Sequence, residues 1–301
     1  MKAKSILLTL LFTCISLQAR PIKVLLITGH TSKWHNWQTT STYLKAILDH
    51  QKIFETDVVK MQDTPLVDET FAPDFSKYKV VVLNIDDVKW SDSTKKSFER
   101  YVQNGGGVII IHEADNAFPD WKEYNVMIGL GGWGGRNENS GPYVYWKDGT
   151  TFSDTIKGSG GKHGERVPFV ITIRDSLHPI TRGLPTQWLH QNDELYGNLR
   201  GPAQNFHILA TAFSTKESKG TGKEEPVMMT ISYGKGRIYH CTLGHVKPEF
   251  ADGLQDVGFQ VTFSRATEWT ATGKVTQKVP TEFPTASSVL LYDLEKLKNK
   301  K

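Results

Sequence analysis

Runs of Val, Ile and Leu that alternate with amphipathic segments constrain the fold of this chain more than any other feature. Apolar runs at residues 22–28, 80–85 and 108–111 are typical of buried strands, and helical spacing at 38–50 and 91–104 separates them. Strands without polar alternation are buried on both faces, as in a parallel sheet that helices cover. The pattern therefore predicts a doubly wound, mostly parallel α/β fold.

The alternation stops after Gly129. Residues 129–165 are rich in glycine and aromatic side chains, and long segments of this kind in a compact domain are usually functional loops. Strands resume later, and the last two, at 227–233 and 237–243, are joined by a tight turn at 233–236. We expect a long glycine- and aromatic-rich insertion followed by a late β-hairpin.

The first residues have the pattern of a secretory signal peptide. Lys2 and Lys4 precede an apolar run that is too short for a convincing membrane span, and the small residue Ala19 closes it. We therefore predict a secreted or periplasmic protein. The residues before Cys14 form a poor lipidation signal, so a lipid anchor is not expected.

Removal of residues 1–19 would leave Cys241 as the single cysteine, which excludes an internal disulfide. We divide the rest of the chain into an α/β domain at 20–273 and a polar, proline-rich tail at 274–301. The net charge of +4 is small for 301 residues. Because the basic residues are scattered apart from those at 296–301, no nucleic-acid-binding face is expected.

Histidines lie close to the ends of several predicted strands. His30 and His35 come after the first strand, His112 after the fourth and His245 after the last. In open α/β sheets ligands bind outside the carboxyl ends of the strands, because the connecting loops converge there. We therefore expect these histidines to meet in one cleft, where imidazoles serve as metal ligands or acid–base groups.

His112 stands where an apolar strand turns abruptly into polar sequence, in the stretch GGGVIIIHEADN. α/β hydrolases and amidotransferases carry a Ser or Cys nucleophile at such a turn. Since neither residue type is present here, acyl-enzyme chemistry is disfavoured. The imidazole suits a general acid, a general base or a metal ligand.

Two further groups of residues are candidates for the same site. Glu194 precedes Leu195 and Tyr196, so we expect it to be partly buried and to need a polar partner. The insertion contains Trp133 and Tyr143, which suit a platform for a sugar ring, with core packing as the alternative.

Several short motifs together resemble the ThuA-like family, which is named for trehalose utilisation and has the fold of the class I glutamine amidotransferase domain. The matching pieces are T-G-H at 28–30, H-N-W at 35–37, G-G-G at 105–107 before His112, H-P-I at 178–180, G-L-P at 183–185, D-E-L-Y at 193–196, and Y-G-K-G-R at 233–237 before T-L-G-H at 242–245. The resemblance implies a flavodoxin-like sheet in which His112 replaces the amidotransferase nucleophile. It also implies a role in carbohydrate metabolism, linked to 3-keto sugars that a partner oxidoreductase supplies.

Two hypotheses of function remain open. In the first, the protein is a hydrolase or lyase acting on a glycoside or 3-keto-glycoside. A ketone at the third sugar carbon acidifies the neighbouring C–H, so a positioned base can remove that proton and expel the anomeric substituent. In the second, the protein is a non-catalytic carbohydrate- or partner-binding module on an amidotransferase-like scaffold.

The candidate site residues fall into three groups. We predict catalytic roles for His112, Glu194 and His35. We predict substrate contacts for Trp37, Glu113, Trp133, Arg136, Tyr143 and Lys247. The predicted ligands of a divalent metal ion are His30, His35, His112 and His245. The expected partner is a small carbohydrate, and a nucleotide cofactor is not expected.

Overall fold

The computed structural model describes residues 20–29, 33–64 and 66–299. The predicted signal peptide and His30 lie outside the described residues. The strands are β1 (Ile22–Thr28), β2 (Phe54–Lys60), β3 (Val80–Leu83), β4 (Gly107–Ile111), β5 (Tyr143–Lys147), β6 (Thr150–Asp154), β7 (Lys162–His163), β8 (Val167–Ile173), β9 (Gln187–Asp193), β10 (Tyr196–Gly197), β11 (Phe206–Phe213), β12 (Glu224–Tyr233) and β13 (Gly236–Cys241). The helices are α1 (Trp37–His50), α2 (Asp92–Gln103), α3 (Lys122–Ile128), α4 (Asp252–Gln255), α5 (Val257–Thr272) and α6 (Leu294–Asn299).

One large sheet forms the centre of the protein. Its main path has the order β2-β1-β3-β4-β13-β12-β11-β8-β9. The strands from β2 to β13 in this order pair in parallel, and those from β13 to β9 pair antiparallel. The predicted α/β class and the late hairpin of β12 and β13 are confirmed.

Alternate residues of the parallel strands pack on opposite faces of the sheet. In β1, Val24 and Leu26 belong to one buried core, which α1 and α5 complete. Leu25 and Ile27 belong to a second core, which α2 and α3 complete. Because helices cover both faces, the fold is doubly wound, as the uninterrupted apolar strands predict. Among the described helices, none is long and apolar enough to cross a membrane.

Side-chain caps fix where the main helices begin. Ser91 accepts a hydrogen bond from the backbone N–H of Thr94 at 3.2 Å, as expected for the cap of α2. Asp256 accepts from the N–H of Phe259 at the start of α5. That helix ends at Thr272 and is capped by Gly273, whose φ of 75° suits glycine.

The predicted insertion is folded. Its β5 and β6 form a hairpin, and β5 also pairs with β12. The buried guanidinium of Arg200 donates hydrogen bonds to the carbonyls of Gly141, Ile156 and Gly158. It also lies 3.8 Å from the ring centroid of Tyr143. Arg200 therefore holds both ends of the hairpin to the strand region that follows β10.

Residues 274–299 pack on the domain. The ring of Phe283 lies 5.4 Å from that of Trp188, centroid to centroid. Arg265 donates a hydrogen bond of 2.6 Å from Nη1 to the carbonyl of Gln277. Residues beyond the boundary that we placed at 273 therefore contact the α/β domain.

Replacing Phe283 by alanine should lower the free energy of unfolding by about 2 kcal/mol, because a half-buried aromatic ring is lost from its T-shaped contact with Trp188. Urea denaturation measures the change. The exposed neighbour Thr281 provides the control, since Thr281→Ala should shift stability by less than about 0.5 kcal/mol. Equal stabilities for the two variants would contradict the packing role of the tail.

Candidate functional site

The turn after β4 holds His112 in a strained backbone conformation. His112 has a φ of 41° and opens a short 3-10 helix that ends at Asp115. A side chain with positive φ is uncommon outside glycine and Asn, and such strain concentrates at functional sites. The Nδ1 of the buried His112 ring lies 2.7 Å from the carbonyl oxygen of Thr242. Since a carbonyl only accepts, Nδ1 carries the proton and Nε2 keeps its lone pair.

His112 meets two other histidines. Its Nε2 lies 3.1 Å from Nδ1 of His245, and the ring of His35 lies 5.2 and 5.1 Å from the rings of His112 and His245. One nitrogen of each ring lies within 4.8 Å of one nitrogen of each of the others. Three buried histidines so close together could hold a metal ion.

Carboxylates lie behind His35. Its Nδ1 lies 3.3 Å from Oδ2 of Asp86 and 3.1 Å from Oε2 of Glu113. A proton on Nδ1 of His35 is therefore shared with these two carboxylates. The other ring nitrogen, Nε2, lies 3.4 Å from the hydroxyl of Tyr196. Histidines that bind metals in proteins usually donate their second ring N–H to a carboxylate or a carbonyl in this way.

His245 is placed in a similar way, with less ideal geometry. Its Nε2 lies 3.2 Å from Oε1 of Glu194, an ion-pair separation without the alignment of a hydrogen bond. If His245 Nδ1 donated its proton to His112, the lone pair of Nε2 would face the Glu194 carboxylate. If Nε2 carried the proton, two lone pairs would face each other at 3.1 Å. A cation bound by both nitrogens removes this conflict.

Burial controls the charges of the three rings. Burial first, and then the charges of the neighbouring imidazoles, lower the pKa of His112 to about 3 and that of His245 to about 2. Burial also acts to lower the pKa of His35, but the charges of Glu113 and Asp86 outweigh it, so that this pKa is raised. Burial raises the pKa of Glu113 to about 7. His112 and His245 are therefore neutral at neutral pH, the form in which imidazole binds metals.

Asp193 fixes the backbone of the site from below. Its fully buried carboxylate accepts hydrogen bonds from the N–H groups of Gly244 at 2.8 Å, His245 at 3.0 Å and Glu194 at 2.8 Å. Nε2 of His190 lies 3.0 Å from the same carboxylate. One side chain thus sets the positions of residues on two separate loops.

His190 lies between Asp193 and Asp256, with Nδ1 3.4 Å from the second carboxylate. Burial alone would lower the pKa of His190, but the charge of Asp256 and the hydrogen bond with Asp193 raise it from 6.5 to about 9. A positive imidazole between two buried carboxylates therefore belongs to the folded state at neutral pH.

This raised pKa predicts how stability depends on pH. Because the folded state holds the proton of His190 more tightly than the unfolded chain, the stabilisation is complete below about pH 6.5 and is lost as pH rises through about 9. The loss should be about 3 kcal/mol. Urea denaturation at pH 6 and pH 10, on the parent and on His190→Gln, measures it. A variant with the same pH dependence as the parent would contradict the assignment.

A cavity of about 660 Å³ opens above the histidines. Of the predicted residues, it is lined by His35, His245, Glu194, Trp133 and Lys247. His112 does not line the cavity and lies behind two residues that do, His245 and Tyr196, with 4.1 Å between the ring centroids of His112 and Tyr196. Glu113 lies behind His35. Residues from three parallel strands and from the insertion therefore meet in one place.

Three residues predicted to bind substrate lie elsewhere. Arg136 is buried and donates hydrogen bonds to backbone carbonyls, including those of Asn116 and Gly132. Tyr143 stacks under Arg200 as described above, and Trp37 lies under the ammonium of Lys60. These three side chains are outside the lining of the cavity, and their substrate contacts stay a prediction. His30 lies outside the described residues.

The cavity also contains residues that we did not assign to the site. Asp86, Tyr196 and His163 line it. The sequence could have indicated two of these residues. Asp86 stands just after β3, at a strand end, and Tyr196 belongs to the family motif that contains Glu194. His163 belongs to the insertion, and its position depends on a fold that the sequence pattern does not define.

The fold and the site together define a class of protein. A doubly wound sheet with a strained polar residue at the turn after a central parallel strand is the arrangement of glutamine amidotransferase-like proteins, here with histidine in the place of the nucleophile. Residues 23–270 match the model of the ThuA family, described as trehalose utilisation. The chain belongs to this family, as its motifs predicted, and its role thus falls within carbohydrate metabolism.

Solved structures agree with this assignment. A protein from Parabacteroides merdae ATCC 43184, described as ThuA-like, is 48% identical over 92% of this chain and 99% of its own, with a TM-score of 0.88. A second ThuA-like protein, from Bacteroides uniformis ATCC 8492, is 16% identical over 88% of this chain and 97% of its own, with a TM-score of 0.53, and supports the fold alone. No curated protein is significantly similar in sequence.

Proposed function

We propose that this protein is a secreted or periplasmic, metal-assisted enzyme that acts on a glycoside or 3-keto-glycoside. The observation that carries the proposal is the cluster of His35, His112 and His245 at a cavity that His35, His245 and acidic groups line. Clustered titratable groups with shifted pKa values are typical of active sites. The family description, trehalose utilisation, supports a carbohydrate as the substrate.

The three histidines fit a divalent metal ion of the zinc type. Neutral imidazoles are the ligands that zinc and its neighbours in the transition series prefer, and three protein ligands leave a position open. Nε2 of His112 and Nδ1 of His245 lie 3.1 Å apart. This short separation supports a bound metal ion, because a cation would accept the lone pairs of both nitrogens. When bound, such an ion would polarise a sugar carbonyl as a Lewis acid.

Glu194 is the residue best placed to act as the base. Its carboxylate lines the cavity, and one oxygen, Oε1, lies towards His245. The other oxygen, Oε2, lies 3.9 Å from Nε2 of His163, beyond hydrogen-bond distance. Burial raises the pKa of Glu194, and the charge of Asp193 raises it further, which makes the carboxylate a stronger base at neutral pH.

The proposed reaction balances without another reagent. Glu194 takes the proton from the carbon beside the ketone, the electron pair forms the double bond to the anomeric carbon, and the bond to the leaving oxygen breaks. The proton on Glu194 then passes to that oxygen. Direct hydrolysis of the glycoside, with water attacking the anomeric carbon, uses the same residues, and product analysis separates the two reactions.

A 3-keto-glycoside must first be made by oxidation of a secondary alcohol. We therefore propose an upstream sugar oxidoreductase as a functional partner. The proposed export of the protein rests on the pattern of residues 1–19.

Metal binding is the first prediction of this proposal. The purified protein should bind one Zn²⁺ per chain, and His112→Asn should weaken binding by more than about 100-fold, because it removes one of three ligands while Asn tolerates the positive φ. Isothermal titration calorimetry measures the affinity. His163→Ala is the control, since His163 lies outside the three-histidine cluster, and its affinity should be unchanged. Parent-like binding by His112→Asn would contradict the assignment.

The role of Glu194 is the second prediction. Glu194→Gln should lower kcat on 3-keto-glucosides by about 100- to 10,000-fold, because the amide keeps the shape of the side chain and loses its basicity. The same variant should keep its bound metal. Product formation by chromatography gives the rate. A variant as active as the parent removes Glu194 from catalysis, and a parent without turnover on any glycoside or 3-keto-glycoside would favour the binding-module hypothesis instead.

A further inference from the structure

Trp34 is a large aromatic residue exposed at the mouth of the cavity. It directly precedes His35, which belongs to the floor, yet 56% of its surface is exposed. Buried polar groups and exposed large aromatic side chains are each informative, and here the two are adjacent in the sequence. The arrangement suits a ligand that contacts the histidines at one end and an aromatic face at the other.

Two lysines contact the indole of Trp34. The ammonium of Lys33 lies 4.5 Å from the ring centroid, and that of Lys247 lies at 5.6 Å. Lys247 lines the same cavity as the indole. The ring therefore borders the cavity on the side of Lys247, where a flexible side chain can move aside for a ligand.

A second indole lies deeper in the same cavity. The ring of Trp133 packs on that of Tyr196, with 4.6 Å between centroids, and Tyr196 in turn packs on His112. Trp133 has a φ of 47°, so its backbone is held in a conformation that few side chains adopt. Aromatic faces thus continue from the floor of the cavity, while Trp34 borders its mouth.

The volume of the cavity, about 660 Å³, is in the range that holds a drug-sized ligand and exceeds the needs of a single sugar ring. A sugar that places its reacting carbons on the floor leaves the outer part of the cavity for the group attached at the anomeric carbon.

We propose that Trp34 forms a subsite for a ring carried by the leaving group, so that the preferred ligand is a two-ring glycoside. This inference rests on the proposed function, because it takes the three histidines as the end that receives the sugar. An indole face gives the ring of the leaving group an apolar contact that does not require a particular hydrogen-bond pattern. The subsite therefore selects for a ring at the anomeric position and tolerates variation in its substituents.

Phenyl and methyl glucosides test the proposal, because they share the sugar and differ in the ring at the anomeric position. Calorimetry on the zinc-loaded, full-length protein, with both anomers of each, should give tighter binding of phenyl glucoside by the parent. Trp34→Ala should weaken binding of phenyl glucoside by about 10-fold or more and leave methyl glucoside within about 2-fold. Trp146→Ala is the matched control, since Trp146 is a half-exposed indole on β5 outside the cavity lining.

Equal affinities of the parent for the two glucosides, or absence of binding, would overturn the subsite. So would a Trp34→Ala variant that weakens both ligands alike or neither. These outcomes are read from binding alone, whereas failure of the proposed function would appear as absent turnover or as unchanged rates in Glu194→Gln. A protein that binds phenyl glucoside through Trp34 without turning over any substrate would keep the subsite and reject the catalysis.

Discussion

The parallel pairing of β4 with β13 is the contact on which the rest of the site depends. Cys241 lies opposite Ile111 in this pair, so the residues that follow, His112 and Thr242, emerge side by side from the sheet. The hydrogen bond of 2.7 Å between the His112 ring and the Thr242 carbonyl follows from that register. A slip of one residue would turn His112 to the other face, since side chains alternate along a strand.

The loop that follows β13 then supplies His245, and the loop that follows β1 supplies His35. Each is fixed by groups beneath the cavity. Asp193 holds the backbone of His245, while Asp86 and Glu113 contact the ring of His35. Burying so many polar groups costs stability unless each finds a partner. The 3.1 Å contact between the ring nitrogens of His112 and His245 is one that a cation would complete.

The sequence could predict the parts of the site that follow directly from the sheet. His112 and His245 stand at the ends of apolar strands, and the family motifs include Glu194, so their approach to one another could be inferred. The positions of Trp133 and His163 depend on the path of the insertion, which contains many glycines with positive φ and has no regular period. The positions of Arg136 and Tyr143 outside the cavity lining could not be inferred, since residue types suited to ligand binding also hold backbone carbonyls and pack on cations.

A crystal of the zinc-loaded protein, measured at the zinc absorption edge, tests the central claim most directly. The account predicts one anomalous peak among the three rings, about 2.0–2.1 Å from a ring nitrogen of each of His35, His112 and His245. A map with no peak among these rings, or with zinc bound only at surface histidines, would contradict it.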